Sequence, residues 1–402
     1  MRHIALAVTL LLTSAVSAAE VKGVVRGAGN APLRNAHVYV YAAYPKSGVS
    51  TICPNCYRDC GKREATGADG TFKLVKLDDT LKFELLAVAD GYEPQFVKTD
   101  GADVVVTLNA RAAGDAERLI TGVVVDPKGK AVVGAVVEPG GVHMPRTLPN
   151  GNTVYSVGYG KIPGLELLSV TNDEGEFALK IPDGAGKLDV RVTARSYAPK
   201  IERELLPKQP KTIHVAEGAL LEGQVLRNGK PVAGVPVKFS QRDRRSSNFL
   251  GFTEIGTDEK GRFAMPNLGT DLELVVSVAK GSLAGGVVHP KVVKTGGPKS
   301  MTHIGTLEVT NGRKVSGIVS GARRPETIYL TNVRSGESWT VKLAESGAFV
   351  FDDVTNGELR LGSRGVVLSN EEKAVKDPRG SREVVLSAAE GDLKDVKVYV
   401  IE

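Results

Sequence analysis

One short pattern recurs along this chain and limits what it can fold into. The pattern is Thr-x-x-x-Gly-x-Phe, and its copies begin at Thr66, Thr171 and Thr257, with a divergent copy that begins at Leu343. Polar residues and a glycine followed by an aromatic residue are typical of a tight β-hairpin turn that leads into an inward-facing strand. A chain that repeats one such hairpin is expected to fold as a series of related β domains.

A second recurring element precedes each hairpin. It is a Gly-x-Val strand, found at Gly23, Gly122, Gly223 and Gly317. A turn follows, and then a strand in which apolar and polar residues alternate, as Ala36, Val38 and Val40 do in the first copy. Alternation with a period of two indicates a strand with one buried face and one wet face. The sequence therefore predicts an all-β fold.

The combined motifs resemble the carboxypeptidase regulatory-like domain, a transthyretin-like β-sandwich. The resemblance is clear in the first three copies, whereas the fourth lacks the threonine and the Pro-Val turn. It implies a tandem array of four immunoglobulin-like or transthyretin-like β-sandwiches. The implied domains are residues 20–112, 117–214, 215–309 and 310–402. The resemblance also implies the absence of a catalytic domain, because this module is an appendage of the carboxypeptidases that give it its name.

The first nineteen residues predict a secretory signal peptide. Arg2 is followed by an apolar run over residues 4–12, and small residues precede Glu20. The apolar run is too short to span a bilayer, which needs about 20 residues. We therefore expect an exported protein, periplasmic or extracellular, without a transmembrane anchor.

Charge and motif searches argue against several classes of function. The net charge is +6, but the densest basic run, residues 242–245, has no interleaved aromatic residues, so no nucleic-acid partner is expected. His214 and Glu217 have the spacing of a zinc-peptidase pair, but they fall where a strand or linker is predicted. No Gly-x-Ser-x-Gly motif occurs. The sequence thus predicts a protein that is not an enzyme.

All three cysteines, Cys53, Cys56 and Cys60, lie in an insertion of the first repeat that spans residues 44–64. In an oxidising compartment a disulfide with one spare thiol is the favoured interpretation. Structural zinc is the alternative, although the nearest histidine in sequence is His37. The third interpretation is that all three thiols are free or paired with another molecule. No cofactor is expected, and zinc at this loop is the less favoured exception.

A cluster of aromatic residues borders the cysteine insertion. If Val38 and Val40 face the core, then His37, Tyr39 and Tyr41 face outward, and Tyr44 and Tyr57 flank the same region. Such a face predicts a ligand-binding site, since sugars pack on exposed aromatic rings; the alternative is that the insertion covers it. A second insertion, residues 139–168, is predicted as a loop.

These features together predict a non-catalytic, multidomain envelope protein with a structural or ligand-binding (adhesion) role. Its expected partner is an envelope protein or a glycan. Two alternatives stay open: a carbohydrate-binding module that uses the tyrosine-rich face, and a metal- or redox-active cysteine loop.

Overall fold

A computed structural model describes residues 18–51, 62–111, 115–242, 251–279, 281–371, 383–386 and 391–401. Its 32 strands form eight sheets around four separate hydrophobic cores, and two 3₁₀ turns, Ala28–Asn30 and Asp115–Arg118, complete the regular structure. The predicted all-β class of tandem sandwiches is confirmed, while the exact domain boundaries stay a prediction. In the described part of the chain, no helix combines the length and apolarity needed to cross a membrane.

The chain divides into two compact units. The first comprises Met1–Ser47 and Tyr57–Ala113, and the second comprises Gly48–Cys56 and Gly114–Glu402. The predicted signal segment lies outside the described residues except for Ala18 and Ala19, which begin the first strand. The first unit contains one of the four cores and the second unit contains three.

The first unit is a two-sheet sandwich. Its strands are β1 (Ala18–Arg26), β2 (His37–Pro45), β3 (Arg63–Ala65), β4 (Thr71–Asp78), β5 (Leu81–Val88), β6 (Gln95–Thr99) and β7 (Val104–Thr107). One sheet has the order β4-β1-β7, with β1 and β7 parallel, and the other has the order β3-β2-β5-β6. Alternate residues of both sheets fill the space between them, among them Val25, Val38 and Leu85.

The second core also lies between two sheets. Its strands are β8 (Leu119–Val125), β9 (Val136–Thr147), β10 (Thr153–Gly158), β11 (Ser169–Val170), β12 (Glu176–Lys180), β13 (Lys187–Thr193), β14 (Lys200–Leu205) and β15 (Lys211–His214). The smaller sheet has the order β12-β8-β15 and the larger has the order β10-β9-β13-β14, with β11 also on β9. The predicted loop over residues 139–168 is therefore partly a β-hairpin, because the alternating run 153–158 pairs with the end of β9.

The third core repeats the plan. Its strands are β16 (Ala219–Arg227), β17 (Lys230–Pro231), β18 (Pro236–Gln241), β19 (Phe252–Gly256), β20 (Arg262–Leu268), β21 (Glu273–Val278), β22 (Val287–Val288), β23 (Lys291–Lys294) and β24 (Met301–Thr310). One sheet has the order β17-β16-β24-β22, with β20 also on β16, and the other has the order β19-β18-β21-β23.

The fourth core also lies between two sheets, although the sequence motif of this repeat is divergent. Its strands are β25 (Arg313–Ser320), β26 (Thr327–Asn332), β27 (Ser338–Lys342), β28 (Ala348–Val354), β29 (Leu359–Ser363), β30 (Val367–Ser369), β31 (Val384–Leu386) and β32 (Leu393–Ile401). The sheets have the orders β28-β25-β32-β30 and β27-β26-β29-β31. Trp339, the only tryptophan, is buried in this core.

The glycine and the phenylalanine of the repeat are neighbours across two strands. Gly122 on β8 lies opposite Phe177 on β12. A methyl group placed on Gly122 would lie 2.8 Å from the Phe177 ring and 2.2 Å from the carbonyl oxygen of Lys211. The same pairing occurs in the other three sandwiches, as Gly23 with Phe72, Gly223 with Phe263 and Gly317 with Phe349. The glycine therefore leaves room for the ring at each site.

The recurring threonine closes a buried connection. The Thr171 hydroxyl donates to the Val132 carbonyl at 2.6 Å and accepts from the Ala135 amide at 2.8 Å. Thr66 and Thr257 make the same two bonds in the first and third sandwiches. Buried backbone groups must have hydrogen-bond partners. This one side chain supplies the partner for a carbonyl and an amide that lie outside the strand ladders.

Candidate functional site

The outer face of the larger sheet in the first unit carries the aromatic residues predicted as a site. Val38 and Val40 are fully buried in the core, and His37, Tyr39 and Tyr41 alternate with them on the other side, where they are half-buried. The sequence pattern therefore predicted the direction of these side chains correctly. We call the outward set His37, Tyr39, Tyr41, Leu86 and Phe96 the aromatic face.

The residues of the aromatic face pack on one another. Leu86 on β5 lies opposite both Tyr39 on β2 and Phe96 on β6. The rings of Tyr41 and Phe96 meet edge to face, with centroids 4.8 Å apart. Leu86 is 0% exposed although it does not belong to the central core. The face is thus a small outer cluster with partly exposed rings, and not a row of isolated side chains.

A β-bulge changes the direction of the strand beside this face. The register of β2 on β5 shifts between Val40 and Ala42, so Ala43 and not Ala42 joins the core. Bulges re-aim side chains in this way. Tyr44, predicted to flank the aromatic face, comes after the bulge and is an exposed residue.

The remaining predicted site residues, Tyr57, Cys53, Cys56 and Cys60, lie outside the described residues. Their pairing and any role in metal binding stay predictions. Within the described ranges, no group of three or more His, Cys, Asp or Glu side chains is placed to hold a metal ion. His214 ends β15, an ordinary strand parallel to β8, and Glu217 forms an ion pair with Lys299 at 2.6 Å.

The second unit contains a polar cluster that the sequence analysis missed. Its centre is Asp189 on β13, which is only 6% exposed. Its Oδ1 lies 3.0 Å from His143 Nε2 and accepts from the Glu204 backbone amide at 2.8 Å. Its Oδ2 lies 3.5 Å from Arg203 Nη1. The carboxylate is therefore held by three partners from two neighbouring strands.

Asp189 lies where both adjoining strands are irregular. The register of β13 shifts on β9 between Asp189 and Val190, and it shifts on β14 between Leu188 and Val190. Glu204, whose amide donates to the carboxylate, has a positive φ of 56°. Bulges leave backbone donors without ladder partners, so the first task of the Asp189 carboxylate is to pair one of them.

Cationic and aromatic groups lie around Asp189 and His143. Lys187 Nζ lies 4.8 Å from the centre of the Tyr155 ring and forms a 2.9 Å ion pair with Glu204. The hydrogen bond with Glu204 raises the pKa of Lys187 above its ordinary value. Tyr155 is 45% exposed, and Tyr159 nearby is 73% exposed. The cations of this cluster are therefore paired within the protein, Lys187 with Glu204 and Arg203 with Asp189.

No protein-family model matches the chain, and a search of curated proteins gave no match. Among solved structures, the chain is similar to a streptococcal ancillary pilin, with 11% identity over 69% of this chain and 98% of the pilin, and a TM-score of 0.21. It is also similar to GBS52, the minor pilin of Streptococcus agalactiae, with 12% identity, coverage of 52% and 99%, and a TM-score of 0.26. For BcpA, the major pilin subunit of Bacillus cereus, the values are 10% identity, 73% and 99% coverage, and a TM-score of 0.20. These scores carry no argument about function.

Proposed function

We propose that this chain is a non-catalytic protein of an exported compartment, in which repeated β-sandwiches form a scaffold for binding faces that differ between units. The observation that supports the proposal is that the repeated residues all have a structural role in the fold. The recurring glycine, phenylalanine and threonine are all engaged in strand packing and buried turns, as Gly122, Phe177 and Thr171 are. Residues that repeat serve the fold, whereas the exposed aromatic and charged groups differ from one sandwich to the next.

The carboxypeptidase regulatory-like family and the location belong to the same proposal. The family rests on the Gly-x-Val and Thr-x-x-x-Gly-x-Phe motifs, and export rests on the first nineteen residues. In such a compartment a multidomain scaffold fits a structural or adhesive role at the cell envelope. Its partner would be an envelope protein or a glycan.

Cosedimentation with isolated envelope material tests this role. The purified mature chain is expected to pellet with the envelope fraction in a saturable way. The double variant Tyr39→Ala with Tyr41→Ala should reduce binding while the chain stays folded, with only a modest fall in melting temperature, because both rings lie on the aromatic face and outside the central core. Tyr399→Ala, which removes a half-buried tyrosine on β32 of the second unit, is the matched control. No saturable binding, or a catalytic turnover found in a hydrolase screen, would overturn the proposal.

A second candidate function is glycan binding by the aromatic face. It is favoured by the half-exposed rings of Tyr39 and Tyr41, which lie on one side of a sheet together with Phe96. Sugar rings present C–H faces that pack on such aromatic rings, and one ring contact of this kind is worth on the order of 1 kcal/mol. A glycan array with the wild-type chain and the Tyr39→Ala plus Tyr41→Ala variant decides. Binding that both proteins share equally would contradict this candidate.

A further inference from the structure

The edge strand β10 lacks the protection found on the other long edge strands in the described part of the chain. It reads Thr-Val-Tyr-Ser-Val-Gly and lies at the end of the sheet β10-β9-β13-β14. Of the described edge strands with five or more residues, β10 alone has neither a charged residue nor a proline; the others are β4, β6, β12, β14, β19, β20, β27 and β28. Proteins ordinarily place charges or proline on exposed edges to prevent pairing with other strands.

The strand is also accessible along its length. Residues 153–157 are all exposed, and no strand of the described part pairs with the outer side of β10. The β9–β10 hairpin extends past the rest of its sheet, because β10 pairs with residues 142–147 of β9 and β13 pairs only as far as His143. A second strand can therefore approach this edge without meeting the sandwich body.

Backbone directions show which groups of β10 are available. The His143 carbonyl accepts from the Gly186 amide at 2.9 Å, so this residue of β9 points away from β10. In an antiparallel ladder the direction alternates along the strand, and Pro145, two residues on, has no N–H to give. Their partners on β10 are Val157 and Tyr155. The amides and carbonyls of Thr153, Tyr155 and Val157 hence point to the free edge.

We propose that β10 pairs with β10 of a second copy of this chain, antiparallel and centred on Tyr155. In that arrangement Tyr155 lies opposite itself, and Thr153 lies opposite Val157 of the other copy. Identical strands that meet in this way bring like residues together, so any charged residue at the centre would face its own charge. The absence of charge removes that penalty, and it favours a second copy over a partner chosen by charge. The result is one continuous ten-stranded sheet across two copies, five strands from each.

Sedimentation equilibrium of the full mature chain, with a reductant present to exclude cysteine-linked dimers, tests this pairing. The wild type is expected to self-associate over about 1–100 µM. Tyr155→Lys should weaken association by about tenfold or more, since it removes an aromatic pair and places like charges opposite each other. Val385→Lys is the matched control, because Val385 is a 55% exposed valine on the edge strand β31 of the same unit. This variant should associate as the wild type does.

Hydrogen exchange supplies an independent readout. The amides of Thr153, Tyr155 and Val157 should gain protection as the protein concentration rises, whereas the Ser156 amide, which faces β9, should be protected throughout. A chain that stays monomeric with these three amides unprotected overturns the proposal. So does protection that appears only when an envelope extract is added, because the occupant is then another molecule. Equal weakening by Tyr155→Lys and Val385→Lys would likewise refute it.

Discussion

Replacing Thr171 by valine tests the role assigned to the recurring threonine. The side chain is 1% exposed, and its hydroxyl pairs with the Val132 carbonyl at 2.6 Å and the Ala135 amide at 2.8 Å. Valine has nearly the same shape, so packing is kept while two buried backbone groups lose their partner. An unsatisfied buried group costs about 1–3 kcal/mol. We therefore expect Thr171→Val to lower the free energy of unfolding by about 2–4 kcal/mol.

Thr171→Ser is the matched control. It keeps the hydroxyl and removes one buried methyl group, which is worth about 1 kcal/mol. Because the four cores need not unfold together, differential scanning calorimetry should be combined with hydrogen exchange of peptides from each sandwich. A loss of about 3 kcal/mol lowers the melting temperature of a domain of this size by about 10–20 °C. Peptides around Thr66 and Thr257 serve as internal references and should be unchanged.

The result that would refute the reasoning is a reversal of the two variants. If Thr171→Ser is as damaging as Thr171→Val, the methyl group and not the hydroxyl is what the site requires. If Thr171→Val is within about 0.5 kcal/mol of the wild type, the two backbone groups are satisfied in some other way. The fourth sandwich gives a natural comparison, since Leu343 stands at the threonine position and packs against the core instead.

Three further predictions concern the packing, a turn carboxylate and the polar cluster. Gly122→Ala should cost about 2–3 kcal/mol in urea unfolding, because a methyl group would meet Lys211 and Phe177; Gly129→Ala, in open space, should cost about 1 kcal/mol. Hydrogen bonds from the Lys130 and Lys128 amides lower the pKa of Asp126. The contribution of Asp126 to stability is therefore complete above the unfolded pKa of about 3.9 and is lost as the pH falls through the folded pKa. Asp126→Asn should make the melting temperature less dependent on pH over this range. Asp189→Ala should destabilise the chain by about 2 kcal/mol and Asp189→Asn by less, measured by calorimetry, because asparagine still accepts from the Glu204 amide.

The repeat made the fold predictable from the sequence. Period-two alternation and recurring turn glycines identify strands locally, and a motif that occurs four times reports the same local structure four times. The direction of Val38 and Tyr39 followed from this pattern and is confirmed. The predicted loop over residues 139–168 is partly a β-hairpin, because β9 accommodates glycines and prolines that suggested turns.

In the second repeat, the side chain that closes the hairpin turn belongs to the residue directly after the recurring threonine. In the structure the Asn172 side chain accepts from the Glu174 and Glu176 amides at 3.1 and 2.8 Å. The third repeat has Asp258 at the position of Asn172, and it closes the turn by the same two kinds of bond. Aspartate and asparagine are interchangeable acceptors at this position, so these bonds do not depend on a charged side chain.

The Asp189 cluster shows why polar sites are harder to predict than cores. By alternation alone, Asp189 between the buried Leu188 and Val190 is an ordinary outward residue on a wet face. Two bulges, on β9 and β14, bring His143 and Glu204 to it from distant parts of the chain. Bulges insert a single residue and leave no periodic trace in the sequence. Local periodicity therefore identifies what a repeated sandwich buries, whereas the irregularities that distinguish one sandwich from another, and place its polar groups together, depend on pairing between strands.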